Sequence, residues 1–175
     1  MKLKGKKVAC LVGPEFEDLE FWVPVMRLRE EGATVMIVGP EGKTTYTGKH
    51  GVPATSEVSA EEVMNENFDA LVIPGGWAPD KLRRVPAILE LVRRADKDGK
   101  IIAMICHAGW VGISAGIVKG HAATGSAAIK DDIINAGGTW RDESAFRDGN
   151  LVWGRVVSDI PNFCRELVKA IAEAK

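Results

Sequence analysis

The chain's 175 residues suit one domain with a sizeable core. Apolar residues make up 46% and charged residues 27%, a globular balance. The net charge of -1, with no basic stripe, argues against nucleic acid as a partner, and no apolar run approaches a membrane span.

The basic start "MKLKGKK" leads into "KVACLV", an apolar run too short for a signal peptide and better read as a first strand. "EDLEFWVPVMRLREEG" follows as a helix stopped at Gly32, with Pro24 expected to kink it or delay its start. "TVMIVG" reads as the second strand, and the β-branched, glycine-punctuated "GKTTYTGKHGVPAT" as a hairpin or extended arm. Ser59 and Glu62 form a capping-box pattern that predicts a short helix over "SAEEVMNE". "DALVIPGG" is the third strand and ends in two glycines, and Pro86 to Asp98 is a helix stopped by Gly99. "KIIAMIC" is almost wholly apolar, as a strand covered on both faces should be. A helix pattern runs from Ala108 to Ala115, and another occupies "AIKDDIINAGG". Asp148-Gly149 marks a turn between strand-like runs in "FRDGNLVWGRVV". Ser158 or Asp159 caps the last helix, with Pro161 in its first turn.

Strands alternating with helices predict an α/β three-layer sandwich, a mostly parallel sheet with helices on both faces, as a single domain over residues 1–175. Ligands of such sheets bind beyond the carboxyl ends of the strands, which directs attention to the segments after Val12, Ile73 and Ile105. Cys106 stands where a buried strand meets a helix, the geometry of a nucleophile elbow. A helix start would lower its thiol pKa toward the reactive thiolate. The bland alternative is a small buried hydrophobe. His107, beside it, fits a base, a thiol partner or an amide donor, against an exposed histidine at a helix start. Gly75 and Gly76 let the backbone approach a ligand and aim amides at a developing oxyanion. "GPEFEDLE" crowds four carboxylates after the first strand. One of them turned toward the thiol and kept protonated by burial would serve catalysis, but spacing does not choose among Glu15, Glu17, Asp18 and Glu20.

The remaining cysteines, Cys10 and Cys164, read as core. Three separated cysteines without a C-x-x-C pair suit reduced thiols in a cytoplasmic protein, and no histidine falls at zinc-ligand spacing. His50 lies in the glycine-flanked arm and suits a lid or a turn, whereas His121 carries no signal.

"EFEDLE", "TGKHG", "DALVIPGGWAPDKLR", "ICHAG", "ISAGIVKG" and "IKDDIINAGGTW" occur in that order, and together they resemble the ThiJ/PfpI family of the class I glutamine amidotransferase-like superfamily, over nearly the whole chain. The resemblance implies a flavodoxin-like sandwich with Cys106 as nucleophile, His107 beside it, Glu17 in contact with the thiol, and Gly75 and Gly76 at the oxyanion site. It also implies an acid from a neighbouring subunit at the position of Asp80, here one methylene shorter than the usual glutamate. "ICHAGW" replaces the usual I-C-H-G-P, and Trp77 and Trp110 stand near the mouth, where they would narrow and dry it. Three functions follow as expectations: a glyoxalase or deglycase acting on small aldehydes, an intracellular cysteine peptidase acting on peptides, or a redox sensor. The family pattern further implies no cofactor, no metal, and a homodimer that assembles in some members into a hexamer.

Overall fold

The structure is a computed structural model that describes residues 1–174. In chain order it runs β1 (Lys7–Leu11), α1 (Asp18–Glu30), β2 (Thr34–Gly39), β3 (Thr45–Thr47), β4 (Pro53–Thr55), β5 (Val58–Ser59) and β6 (Ala70–Ile73). It continues with α2 (Ala78–Leu82), α3 (Pro86–Lys97), β7 (Ile101–Ile105), α4 (Gly109–Ala115), β8 (Ala122–Ala123), α5 (Lys130–Asn135) and β9 (Thr139–Trp140). The chain closes with β10 (Ala145–Asp148), β11 (Leu151–Gly154) and α6 (Ile160–Glu173).

The main sheet has seven strands in the order β10-β11-β7-β6-β1-β2-β5. All its pairings are parallel except β10 with β11, which join antiparallel through the turn at Gly149. α1 packs with α6 and α2 with α4, which in turn meets α3, so helices cover both faces of the sheet as expected for a flavodoxin-like sandwich. The sequence dictates this burial: every residue of β7, "IIAMI", is buried, as is every residue of β6, "ALVI". Such runs cannot face water on either side. Trp153, Phe16, Phe21 and Phe163 are the largest side chains fully removed from solvent. No helix among the described residues is long and apolar enough to cross a membrane.

The expected arm forms as an antiparallel pair, with Thr45 opposite Thr55 and Thr47 opposite Pro53. Four readings need correction. Pro24 does not delay the start of α1, which runs from Asp18 to Glu30, because the proline ring is buried on the core side and removes only one backbone donor. The capping box at Ser59 and Glu62 does close reciprocally, with Ser59 N–H donating to Glu62 Oε2 at 2.6 Å and Glu62 N–H to Ser59 Oγ at 3.1 Å. No helix follows it, however: the chain makes single turns into the polar "NEN" of residues 65–67, where asparagine favours turns over helix. The short helix α2, missed from the sequence, begins with Pro79 in its first turn. Finally, Asp159 precedes α6 without a side-chain cap, because its carboxylate is held by Arg155 at 2.9 Å.

Candidate active site

β7, β6 and β1 are adjacent in the sheet, so the segments after Ile105, Ile73 and Val12 converge on one edge. The loop after β6 pairs with the loop after β1. Glu17 N–H donates to Gly75 O at 3.1 Å and Trp77 N–H to Glu15 O at 2.9 Å, on either side of a Phe16–Gly76 bridge. Gly75 and Gly76 allow this approach. A Cβ on Gly75 would lie 2.3 Å from Glu20 Oε2 and 2.8 Å from Cys106 Cβ, and Gly76 has φ +76.

Cys106 itself has φ 61, the left-handed region that a side-chain-bearing residue rarely adopts. That strained turn, followed by a tight helical turn over Cys106–Ala108 and then α4, lifts the thiol above the sheet edge. Its Sγ lies 3.2 Å from His107 Nδ1. The His107 ring is flanked by Trp77, with centroids 5.8 Å apart, and by Trp110, at 5.1 Å in an edge-on arrangement. Trp110 is fixed in turn by donating from Nε1 to Asp132 Oδ2 at 2.8 Å. Of the two expected tryptophans, then, Trp77 lines the mouth and Trp110 backs the histidine.

The carboxyl group that meets the thiol belongs to Glu20, which corrects the expectation for Glu17. Glu20 is fully buried, and its Oε2 accepts from Gly75 N–H at 2.8 Å. Its Oε1 has no hydrogen-bond partner among the described residues. Burial pushes its pKa up to about 8, the Glu17 carboxylate adds to the rise, and the Gly75 amide opposes it, so Glu20 is protonated at neutral pH. Glu17 instead accepts from Glu20 N–H at 2.8 Å, capping α1, and places Oε1 3.5 Å from His50 Nε2. It therefore lines the same cavity one step removed from the sulfur.

The thiol is not lowered as a helix start alone would predict. Burial, then the neighbouring Glu20 carboxyl, pushes it up to about 12, against one favourable bond from the His107 amide. His107 is shifted down by burial and by the positive charge of Lys49, which leaves a neutral imidazole facing the sulfur. The expected amide donors also divide. Gly75 N–H is taken by Glu20, whereas Gly76 N–H has no protein partner among the described residues. Asp80 lies outside the cavity, half-exposed and bound to Arg84 at 2.8 Å, and contributes nothing to its own chain's site.

A cavity of about 140 Å³ joins Cys106, His107, Glu17, Glu20 and Gly76 to Lys49, His50, Trp77 and Val157. Lys49 and Val157 carried no signal in the sequence. Glu17, Asp18 and His50 bring ligand-type atoms within 4.8 Å of one another. Both Asp18 oxygens, however, accept backbone amides at 2.8 Å, from His50 and Val52, so that trio acts as a clamp for the arm. Cys10 and Cys164 are buried away from this edge, as expected of core thiols.

Comparison with known proteins agrees with this fold. The family model described as the DJ-1/PfpI family matches residues 6–170. The deglycase PfpI of Pyrococcus furiosus is 42% identical over 165 residues, covering 94% of this chain and 99% of its own. YraA of Bacillus subtilis, carried provisionally as a cysteine protease, is 36% identical over 93% of this chain and 96% of its own. Among solved structures, a two-domain protein from Anabaena variabilis with DJ-1/ThiJ/PfpI-like and ferritin-like domains superimposes with a TM-score of 0.91 at 38% identity, covering 94% of this chain and 47% of that one. Drosophila melanogaster DJ-1beta does so with a TM-score of 0.90 at 25% identity, over 95% and 90% of the two chains.

Proposed function

Because the chain belongs to the DJ-1/PfpI family, we propose that it is a cysteine enzyme acting on small reactive carbonyls, converting methylglyoxal or its adducts to the hydroxy acid. The observation that carries this reading is the buried, protonated Glu20 carboxyl set against the Cys106 thiol in a cavity sized for a small molecule. The name deglycase, borne by relatives 42% identical to this chain, supports it.

In this reading Sγ of Cys106 adds to the aldehyde carbon while its proton passes to the neutral Nδ1 of His107, 3.2 Å away. The free Gly76 amide and the His107 amide meet the new alkoxide oxygen, which takes the proton back from His107 to become a hydroxyl. Glu20 protonates the adjacent carbonyl oxygen and, as the carboxylate so formed, takes the hydrogen from the thiol-bearing carbon. Returning that proton to the neighbouring carbon, while the hydroxyl proton on the thiol-bearing carbon passes to the Glu20 carboxylate, leaves a thioester and a protonated Glu20. Water then cleaves the thioester, releasing lactate and restoring the thiol. The net change is methylglyoxal plus water to lactic acid.

A second reading, a cysteine peptidase, has in its favour the Cys106–His107 pair and the YraA name. The cavity's volume of about 140 Å³ and the outward turn of Asp80 toward Arg84 place it second. Purified protein supplied with methylglyoxal in the absence of glutathione, and separately with a fluorogenic peptide, decides between them. Lactate formation lost in Cys106→Ser is the expected result. Peptide cleavage without lactate would reverse the ranking.

A further inference from the structure

The arm over residues 48–52 is bound to the body of the protein with an economy that serves two side chains. Lys49 N–H donates to Phe16 O at 2.8 Å, and Asp18 receives the His50 and Val52 amides at 2.8 Å each. Gly48 is packed so tightly on this clamp that a Cβ there would lie 2.5 Å from Asp18 Oδ1. The clamp presents Lys49 and His50 to the cavity that holds the thiol.

The two differ in their charge partners. His50 faces Glu17 at 3.5 Å. Lys49 has no carboxylate within ion-pairing distance among the described residues, and its Nζ rides 5.6 Å from the centroid of the Trp77 ring at the mouth. With Glu20 protonated and Glu17 set against His50, Lys49 is the lysine of the cavity and has no direct ion-pair partner among the described residues. A cation held by an anchored backbone and steadied by an aromatic face suits recognition of an anion entering beside it.

Resting on the carbonyl-enzyme reading above, we propose that Lys49 is a specificity-determining residue that binds a carboxylate carried a few bonds from the reactive carbonyl, so that the preferred substrates are small anionic aldehydes or carboxylate-bearing carbonyl adducts. A phosphate suits the site less well. Its second negative charge would face the Glu17 carboxylate, and only one lysine is there to meet it.

The test compares iodoacetate with the nearly isosteric, neutral iodoacetamide as alkylating agents for Cys106 in the whole protein, followed by mass spectrometry. Lys49→Met lowers the iodoacetate-to-iodoacetamide rate ratio about five- to tenfold. Lys49→Arg retains the ratio, and so does Lys43→Met, which removes a charge from elsewhere on the arm. Molar salt collapses the wild-type ratio. A ratio unchanged in Lys49→Met, or lowered equally in Lys43→Met, overturns the proposal. Glyoxylate is then added to wild-type and Lys49→Met protein turning over methylglyoxal. Weaker inhibition in the variant is expected, and equal inhibition counts against the proposal. Because the alkylation ratio needs no turnover, failure of the enzyme reading, seen as absence of lactate, remains distinct from failure of the Lys49 assignment.

Discussion

Glu17 and Glu20 lie one turn apart at the start of α1 and do different work: Glu17 caps the helix through Glu20 N–H, while Glu20 turns inward to Gly75 N–H and the thiol. The consequence is unequal sensitivity to neutral replacements. Glu20→Gln keeps an oxygen for the Gly75 amide but removes the titrating proton, so lactate formation falls about a hundredfold or more. Glu17→Gln retains most turnover, and its weaker cap costs about 1 kcal/mol of stability. Steady-state rates beside urea melts distinguish the two. Equal losses of turnover would place both carboxylates in the chemistry.

Stability should depend on pH through Glu20 in a direction opposite to that of an ordinary surface carboxylate. Its pKa stands at about 8 in the fold against 4.5 for the unperturbed group, so the folded state holds the extra proton between those values. The associated stability is fully present below about pH 4.5 and is lost as pH rises to about 8, at a slope of no more than about 1.4 kcal/mol per pH unit. Glu20→Gln removes this dependence, and the variant overtakes the wild type in the alkaline part of the window. Urea melts from pH 5 to pH 9 check it, and parallel curves for the two proteins would contradict it.

The reactivity of Cys106 should follow the pair rather than the thiol alone. Burial raises both groups, and Glu20 raises the thiol further while the bond from the thiol lowers Glu20, so the first proton leaves Glu20 near pH 8 and the thiol follows at higher pH. The wild-type alkylation rate therefore stays low through neutral pH and climbs only in the alkaline range, above the Glu20 transition. Glu17→Gln, by removing a negative neighbour that raises the thiol, moves this climb to lower pH, and Glu20→Gln, which removes the larger charge effect, moves it further down. Iodoacetamide rates against pH are the measurement, and a climb that stays in place in Glu20→Gln would detach the carboxyl from the thiol.

How much of this was legible follows from which forces act locally. The strands, the arm and the convergence of three strand ends came from β-branched runs and glycines, because burial on both faces leaves that composition no other use. Cys106 and His107 came from their place at a strand end. Spacing left Glu20 among four candidates and the family resemblance pointed to Glu17, yet a signal for Glu20 was present: Glu20, Pro24 and Leu28 recur every four residues and are all buried, so a carboxyl shares the core stripe. The thiol's raised pKa was not legible, since desolvation depends on what the fold stacks over the sulfur and outweighs the short helix beyond it. Lys49 was silent for a similar reason, because its place at the mouth is set by Asp18, thirty-one positions away in the chain.

Gly75→Ala tests how closely the two loops must approach. The added Cβ would fall 2.3 Å from Glu20 Oε2 and 2.8 Å from Cys106 Cβ, distances that require one of them to move. Overpacking of this kind costs about 1–3 kcal/mol, and here the displaced groups are the reacting pair. Thermal melts should show the loss, and the alkaline climb of the alkylation rate should shift with it. A variant as stable and as reactive as the wild type would mean that the loop after β6 yields without cost.

Trp110 acts on the chemistry only through His107. Its ring packs edge-on to the imidazole at 5.1 Å, and its indole N–H is bound to Asp132, so it forms a fixed wall against the histidine. Trp110→Phe keeps an aromatic wall but loses the anchoring bond, whereas Trp110→Ala removes both and frees the imidazole to rotate away from the sulfur. Turnover should therefore fall modestly in the first variant and about tenfold or more in the second, through kcat more than KM, because the cavity itself is lined by Trp77 and not by Trp110. Histidine NMR provides the readout that a purely structural role would leave still. The lowered His107 pKa, which depends on burial, should move back toward 6.5 in Trp110→Ala and stay lowered in Trp110→Phe. An unmoved titration together with lost activity would assign the tryptophan to folding alone.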